Sequence, residues 1–302
     1  MTRTALVHLV RHANGPEPFE TFMASYERHP ATLEHDLVLL FKGFGNASER
    51  APYLERAAAH VPHVVEVSDD GFDLTAYFVA ATTLEHERLC FLNSFSEILA
   101  AGWLGLLGAA LDERGVGAAG ATGSWNSHLS YRLYLLGLGG AYARSFPSRR
   151  AATVVMHELS ATPVPGAVAG WLHTLQQTVL RSRGMTLFPA MHLRTNAVLV
   201  ERALLLSLRS GRARTKWATY ELESGRRSIT RQLIARGRPP VMVDRHGVAR
   251  APPDWHLGDV FCQSRQQDLI VGDNQTRRYA SATRDQRALL SAQAWGVHAR
   301  PG

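Results

Sequence analysis

Carboxylates in two parts of the sequence could bind a ligand or move a proton. Asp70, Gly71 and Asp73 follow an apolar run and precede a segment of helical period. Carboxylates at such a point can accept hydrogen bonds from a nucleobase edge or from ribose hydroxyls, and glycine lets the backbone approach a ligand. A turn followed by an aspartate cap of the helix would use the same residues. The pattern leaves both interpretations open.

The second pair of carboxylates, Glu221 and Glu223, stands just ahead of a short segment of helical period that contains Arg231. A carboxylate within reach of an acceptor hydroxyl can act as the general base of a sugar-transfer reaction. The same spacing would also suit the electrostatics of a helix N-terminus. The spacing alone therefore does not show that either glutamate is catalytic.

Asn93 and Ser94 come at the tip of a predicted apolar strand. They could hold a diphosphate directly or through a metal, although amides and hydroxyls are poorer Mg²⁺ ligands than carboxylates. An Asn/Ser turn with capping explains the pair equally well.

A loop rich in glycine and hydroxyl groups contains Thr122, Ser124 and Trp125. Small residues allow a ligand to come close, and the indole could stack on a sugar face. The loop is not a P-loop, because no G-K-[ST] follows it.

Arginines supply two further candidates. Arg194 follows His192 at the start of an apolar segment, and its guanidinium could clamp paired phosphate oxygens. His192 could contact phosphate or a metal, whereas an isolated histidine is more often semi-buried and satisfied. Arg277 lies in a polar run near the C-terminus that is either a loop closing over phosphate or a surface turn.

Alternating strands and helices must position these residues. Over the first 125 residues, short apolar runs alternate with segments of helical period, which is typical of βα units around a mostly parallel sheet. In open sheets of this kind ligands bind beyond the carboxyl ends of the strands, where most of the candidate residues lie. The predicted strands are 5–10, 37–41, 63–67, 89–92, 116–121, 191–200 and 241–243, and the predicted helices are 16–29, 53–59 (capped by Ser48), 74–82, 103–111, 201–208 and 229–236.

Composition excludes several classes of protein. The 302-residue chain carries a net charge of +7, but its basic residues are nearly all arginines spread without a basic tail, which gives nucleic-acid binding little support. Cys90 and Cys262 belong to no C-x-x-C pair, which argues against a zinc ribbon, a redox dithiol or a disulfide scaffold. The N-terminal apolar run is too short for a signal peptide, and no window reaches 18 apolar residues, so we expect a cytoplasmic protein.

Taken in order, the candidate segments resemble the rhamnan synthesis protein F family. The resemblance covers about residues 5–127 and 190–245. It implies a glycosyltransferase of bacterial surface polysaccharides with a GT-A type α/β fold, a Rossmann-like, mostly parallel sheet flanked by helices. The motifs that carry it are residues 7–14, Phe41-Lys42-Gly43-Phe44, Asp70-Gly71-Phe72-Asp73-Leu74, Asn93-Ser94-Phe95, Gly120-Ala121-Thr122-Gly123-Ser124 and His192-Leu193-Arg194-Thr195-Asn196.

The resemblance implies roles for these residues. Asn93 and Ser94 occupy the place where many GT-A enzymes hold a metal, but Ser94 replaces a family aspartate, so no metal ligand is assigned and dependence on Mn²⁺ or Mg²⁺ stays open. Glu223 falls where related inverting enzymes have their base, with Glu221 as its substitute. The expected donor-binding residues are Arg11, Asn14, Lys42, Asp70, Gly71, Asp73, Asn93, Ser94 and Arg277, and those expected to line the acceptor or sugar pocket are Thr122, Ser124, Trp125, His192, Arg194 and Asn196.

The resemblance also implies an organisation of the chain. Residues 1–127 would form the nucleotide-sugar-binding half, residues 128–187 a helical insertion, and residues 188–302 the acceptor-binding half and C-terminal tail of the same domain. The insertion has no family counterpart; it could bind the acceptor, touch the inner face of a membrane or pack on the core.

Two functions follow from these expectations. The first is transfer of a sugar from a nucleotide-sugar donor to a glycan or lipid-linked acceptor. The second is a catalytically silent nucleotide- or glycan-binding protein of a polysaccharide assembly complex, because the carboxylate pair of a metal site is missing and a fold does not guarantee activity.

Overall fold

The computed structural model describes residues 3–138, 140–146, 175–176, 178–179, 182–209 and 215–302. Residues 147–174 of the predicted insertion 128–187 lie outside this part of the chain, and so does any acceptor or membrane contact that they would make. Within the described residues, no helix has the length and apolar character needed to cross a bilayer.

The described strands and helices alternate over the first half of the chain, as the sequence predicts. The strands are β1 (Thr4–Arg11), β2 (Asp36–Lys42), β3 (His63–Val67), β4 (Arg88–Leu92), β5 (Glu97–Ile98), β6 (Ala118–Gly120), β7 (Gly123–Ser124), β8 (His192–Leu193), β9 (Val198–Glu201), β10 (Pro240–Val243), β11 (Ala249–Arg250) and β12 (Val271–Gly272). The helices are α1 (Glu17–Arg28), α2 (Ala47–Arg56), α3 (Asp73–Thr83), α4 (Trp103–Asp112), α5 (His128–Leu135), α6 (Gly140–Ala143), α7 (Arg202–Ser207), α8 (Lys216–Ser224), α9 (Ile229–Ala235), α10 (Asn274–Ala280) and α11 (Arg284–Trp295).

A mostly parallel sheet forms the centre of the described structure, with the strand order β11-β10-β6-β9-β4-β1-β2-β3. Strands β1 to β4 run parallel, and β10 runs parallel to β6. Strand β9 lies antiparallel between β4 and β6, and β11 is antiparallel to β10. The prediction of an α/β fold with a mostly parallel sheet is confirmed.

Helices cover both faces of this sheet, which explains why its central strands are almost continuously apolar. Alternate residues of β1 face opposite sides. Leu6 packs in a cluster with α1 and α4, whereas Val7 packs in a cluster with α3 and the helices α7, α8 and α9. A third cluster, around Trp125, Trp255 and Trp295, joins the C-terminal segment to the sheet.

Three local predictions are wrong. The predicted strand 191–200 is split into β8 and β9, because the chain turns at Ala197, whose φ of 52° is left-handed. Asn46, not Ser48, caps α2, since its side chain accepts a hydrogen bond from the backbone N–H of Glu49. Glu221 and Glu223 precede α9 as predicted, but they lie in the last turns of another helix, α8, so the electrostatics of a helix N-terminus do not explain them.

Candidate active site at the carboxyl edge of the sheet

The carboxyl ends of the parallel strands bring the predicted site residues to one edge of the sheet. The chain passes from β1 to β2 and β3 on one side and returns to place β4 on the other side of β1. Ligands of open α/β sheets bind at such a switch point, beyond the carboxyl ends of the strands. Arg11 ends β1, Lys42 ends β2 and Asn93 follows β4. This edge is therefore the candidate active site.

A cluster of three charges links the ends of β1, β2 and β3. Asp69 accepts hydrogen bonds from Nε and Nη2 of Arg11, both at 3.1 Å, and from Nζ of Lys42 at 2.7 Å. Hydrogen bonds from the two cations hold the pKa of Asp69 at about 2, well below its ordinary value. Gly43 lets the backbone pass close to this carboxylate, because a Cβ there would lie 3.1 Å from the Asp69 Cβ. The cluster is an ionised, preorganised patch at the edge.

Asp70, Gly71 and Asp73 lie beside this cluster, at the start of α3. Asp70 is exposed and lines a groove of about 470 Å³ together with Gly71, whose φ of 72° suits glycine. Asp73 begins α3, and burial raises the pKa of its carboxyl against the opposing charges of Lys42 and Arg11. The structure therefore places Asp73 near Arg11 and Lys42, and Asp70 and Gly71 in the turn that follows Asp69.

An apolar cavity opens next to Asp73, between the sheet and the helices α3, α7, α8 and α9. Its few polar lining groups are Tyr77, Arg194, Thr195, Glu223 and Thr230. The apolar walls come from Leu74, Phe78, Phe91, Ala118, Leu193, Val198, Val200, Leu205, Leu222, Ile229 and Leu233. Its volume of about 60 Å³ is far below the roughly 300–1,000 Å³ of ordinary small-molecule sites, so it can take part of a ligand but not a whole sugar.

Glu223 is the titratable group of this cavity with the clearest potential for chemistry. Burial, together with the smaller effect of the Asp73 charge, raises the pKa of its carboxyl to about 7, although the Arg194 charge opposes the rise. A carboxyl with a pKa near neutrality can take a proton and release it again at physiological pH. Glu223 thus has the property that a general base needs.

Glu221, two residues earlier on α8, lies in a different environment. Its carboxylate is 3.6 Å from Nε of the exposed Arg227 and packs near Gly184. Glu221 does not line the cavity. Of the two predicted bases, the structure brings only Glu223 to Asp73 and Arg194.

Arg194 connects the cavity to the tip of β4. Its Nη2 donates to Oδ2 of Asp273 at 2.8 Å, and Nδ2 of Asn93 donates to the same oxygen at 3.3 Å. The guanidinium carbon lies 3.9 Å from the centroid of the Phe261 ring, and the backbone N–H donates to the carbonyl of Thr122. This arginine is therefore fixed at the carboxyl edge by several independent contacts.

The residues at the tip of β4 do not fit a divalent cation. Oδ1 of Asp273 accepts from two backbone N–H groups at the start of α10, and Oδ2 accepts from Arg194 and Asn93. Oδ1 of Asn93 accepts from the backbone N–H of Phe95. Mg²⁺ and Mn²⁺ need oxygen ligands free to face them. Across the part of the chain that the structure describes, no three His, Cys, Asp or Glu side chains form a group suited to a metal.

Trp125 cannot provide the sugar platform that its loop suggested. It is 5% exposed, its Nε1 donates to the carbonyl of Pro252, and its ring packs edge-on against Trp295 and Phe188. Ser124 beside it is buried and accepts from the backbone N–H of Asn126. Both belong to the core around the C-terminal segment because the loop turns inward under that segment.

Two other predicted residues, Asn196 and His192, make contacts within the protein itself. Asn196 is buried and bonds Ser96 and the carbonyl of Gly272, so it ties β9 to the β5 and β12 pair. Nδ1 of His192 bonds the carbonyl oxygen of Ala190, and burial lowers the pKa of its ring to about 4.

Four more predicted residues lie on the edge itself. Thr122 follows β6, and its buried hydroxyl has no hydrogen-bond partner in the described residues. Arg277 donates to Glu97 and to the carbonyl of Phe95, and Asn14 ends a 3-10 turn after β1. Ser94 is buried beside Asn93.

Three residues of this site were not predicted from the sequence. Asp69 is next to the predicted Asp70, and the sequence of this acidic turn does not show which of the two aspartates binds the basic residues. Asp273 lies 79 residues from Arg194, and no local pattern reveals such a partner. Tyr77, whose hydroxyl donates to the carbonyl of Thr195, looks in the sequence like any apolar residue of α3.

The sequence matches no known protein family profile and no curated protein significantly. Solved structures similar to this chain include GalNAc-T7 with UDP, GalNAc and Mn²⁺, at 16% identity over 39% of this chain and 22% of that one, with a TM-score of 0.32. TarS of S. aureus is similar at 17% identity over 40% of this chain and 21% of that one, with a TM-score of 0.32.

Glucosyl-3-phosphoglycerate synthase from Mycobacterium tuberculosis, in complex with Mn²⁺, UDP and glucosyl-3-phosphoglycerate, is similar at 15% identity. The match covers 68% of this chain and 59% of that one, with a TM-score of 0.36. The chain thus spans between about a fifth and three fifths of the length of these proteins.

Proposed function

We propose that this protein is a glycosyltransferase that moves a sugar from a nucleoside-diphosphate donor to an acceptor hydroxyl, with Glu223 as the general base. The observation that carries the proposal is the carboxyl of Glu223, poised near neutral pKa in an apolar cavity at the carboxyl edge of the sheet. The resemblance to rhamnan synthesis proteins supports a glycan or lipid-linked acceptor in bacterial surface polysaccharide synthesis.

The donor would lie along the edge from β3 to β4. Asp70, Gly71 and Asp73 face the nucleoside, and Arg11 and Lys42 supply positive charge beside it. Charge-assisted bonds of this kind position phosphate groups. The sugar then points from the edge toward the cavity that Glu223 lines.

In this arrangement the acceptor hydroxyl gives its proton to the carboxylate of Glu223 as its oxygen forms a bond to the anomeric carbon. The bond from that carbon to the diphosphate breaks, and the nucleoside diphosphate leaves with the electron pair. General base catalysis of such a step contributes about 10²- to 10⁴-fold to the rate. The attack opposite the leaving group inverts the anomeric configuration.

The test is release of nucleoside diphosphate from UDP-, GDP-, dTDP- and CDP-sugars, because transfer to water reports turnover without a known acceptor. Glu223→Gln should lower the release of the accepted donor by at least about 100-fold, the lower limit for lost base catalysis. Its donor-induced thermal shift should persist, because a ligand that binds only the folded state still stabilises it.

Glu221→Gln is the matched control, since it makes the same change two residues away on α8 and outside the cavity. It should retain wild-type release. Undiminished release by Glu223→Gln would remove Glu223 from the mechanism. A donor that shifts the melting temperature but is turned over neither to water nor to any glycan would favour the silent binding protein.

A further inference from the structure

Arg194 has hydrogen-bonding capacity that its own chain does not use. Nη2 is bonded to Asp273, but Nη1 is buried and has no hydrogen-bond partner in the described residues. The side chain is 15% exposed, so water reaches little of it. A buried guanidinium N–H without an acceptor is costly, and buried polar groups in native proteins are nearly always paired. This arrangement indicates a site that is complete only when an acceptor is bound.

The surroundings of the guanidinium define what that acceptor can be. Phe261 covers one face of the group, and Asp273 fixes its orientation, so an N–H edge is what remains for a ligand. Arg194 lies beside the tip of β4, because Arg194 and Asn93 both donate hydrogen bonds to the same oxygen of Asp273. A planar guanidinium edge binds the paired oxygens of phosphate in a forked geometry.

We propose that Arg194, held by Asp273, binds the diphosphate of the donor at the tip of β4, and that donor binding there requires no divalent cation. The inference rests on the proposed function for the nature of the donor. The arginine directs hydrogen bonds to the leaving diphosphate, while the paired Asp273 balances part of its positive charge. The oxygens of Asn93 and Asp273, which a metal would need, are already used by protein donors.

Asp273 acts here as a positioning residue. It accepts from Arg194 with one oxygen while its other oxygen caps α10, so the helix and the guanidinium share one anchor. Burial opposes ionisation of this carboxyl, yet the Arg194 charge and the hydrogen bonds of Thr276, Arg194 and Asn93 keep its pKa below the ordinary value. The carboxylate therefore stays ionised, and it orients the arginine before any ligand arrives.

The experiment measures binding of inorganic pyrophosphate to the full chain by calorimetry, in excess EDTA and again with Mn²⁺. The wild type should bind in EDTA with an affinity that Mn²⁺ does not improve. Arg194→Gln should weaken binding by at least about tenfold, the typical worth of a hydrogen bond to a charged group. Arg194→Lys keeps the charge next to Asp273 but loses the fork, so it should bind between the two.

Arg245→Gln is the matched control, because it also removes one positive charge and its arginine is exposed, donating to the carbonyl of Leu99. It should bind pyrophosphate as the wild type does. Should Arg194→Gln fold poorly, Arg194→Lys still decides the question. Binding that appears only with Mn²⁺, or wild-type affinity in both Arg194 variants, would overturn the inference.

Failure of this inference and failure of the proposed function give different results. Nucleotide-sugar turnover that needs Mn²⁺ would reject the role of Arg194 and keep the glycosyltransferase. Metal-free pyrophosphate binding that depends on Arg194, without turnover of any donor, would keep the anion site and reject the proposed reaction.

Discussion

Lys42 and Asp69 form an ion pair with unequal burial: the lysine side chain is 1% exposed, the aspartate 48%, and Nζ lies 2.7 Å from Oδ1. The ammonium group is buried at the end of β2, and the half-exposed carboxylate is its compensating charge. Arg11 binds the same carboxylate from β1. One aspartate therefore holds the ends of two strands and the turn after a third.

We expect Asp69→Asn to lower the free energy of unfolding by about 1–3 kcal/mol at pH 7, since it leaves a buried charge without its counter-ion and the aspartate itself is half exposed. Because the folded pKa of Asp69 is about 2, its contribution is present at neutral pH and is lost as the pH falls from about 4 towards 2. Urea denaturation at pH 7 and pH 3 checks both statements. Asp70→Asn, at an exposed neighbour, should change stability by less than about 0.5 kcal/mol; equal effects of the two variants would contradict the assignment.

The pH dependence of turnover should report Glu223. A general base acts in its ionised form, so kcat/KM should rise as the pH increases through about 7, the pKa to which burial raises this carboxyl. Asp73→Asn removes a negative charge that adds to the rise, so the midpoint should move to lower pH. A pH-rate profile of both proteins measures the shift. A midpoint that does not move, or moves upward, would separate Asp73 from Glu223.

His8 should make the fold sensitive to acid. Its ring lies in the core, stacked on Phe22 with 3.7 Å between ring centroids, and neither ring nitrogen has a hydrogen-bond partner in the described residues. Burial lowers its pKa to about 3, so the unfolded chain binds the proton more tightly, and stability falls as the pH drops from about 6.5 towards 3.

His8→Leu should remove this part of the acid dependence and raise the free energy of unfolding at pH 7 by about 1 kcal/mol, because it replaces unpaired buried polar atoms by apolar ones. Denaturation curves between pH 7 and pH 4 measure both effects. His246→Gln, at a side chain that is 67% exposed, should leave stability at pH 7 unchanged. A His8→Leu protein that is less stable and has the same acid dependence would show that the ring nitrogens of His8 have hydrogen-bond partners in the wild type.

Trp125 should affect stability and not donor binding. Trp125→Phe loses the hydrogen bond to the carbonyl of Pro252 and part of the packing on Trp295, which should cost about 1–3 kcal/mol. The affinity of the folded variant for a nucleotide-sugar should match that of the wild type when both are measured by calorimetry below their melting temperatures. A Trp125→Phe variant that loses affinity for the nucleotide-sugar but keeps its stability would indicate that the indole contacts the sugar after all.

The sequence by itself determined the α/β class, the first four strands within one residue of their observed ends, and the edge at which the polar residues gather. These features follow from local rules: continuous apolar runs make buried parallel strands, and polar residues after them lie at a common edge. Glu223 could be singled out from its family-like position. Its raised pKa could not, because that depends on Asp73, Arg194 and the apolar walls that other segments contribute.

Only the tertiary structure decided which polar residues face a ligand. Arg194 and Asp273 form an ion pair although 79 residues separate them in the sequence. Trp125 lies in a loop whose small and polar residues suggest a binding site, yet the C-terminal segment buries it. The physical reason is that hydrogen-bond partners and burial are set by which segments pack together. A short-range sequence pattern indicates whether a segment is a helix or a strand and which of its faces is apolar. It does not indicate which distant segment will pack over it.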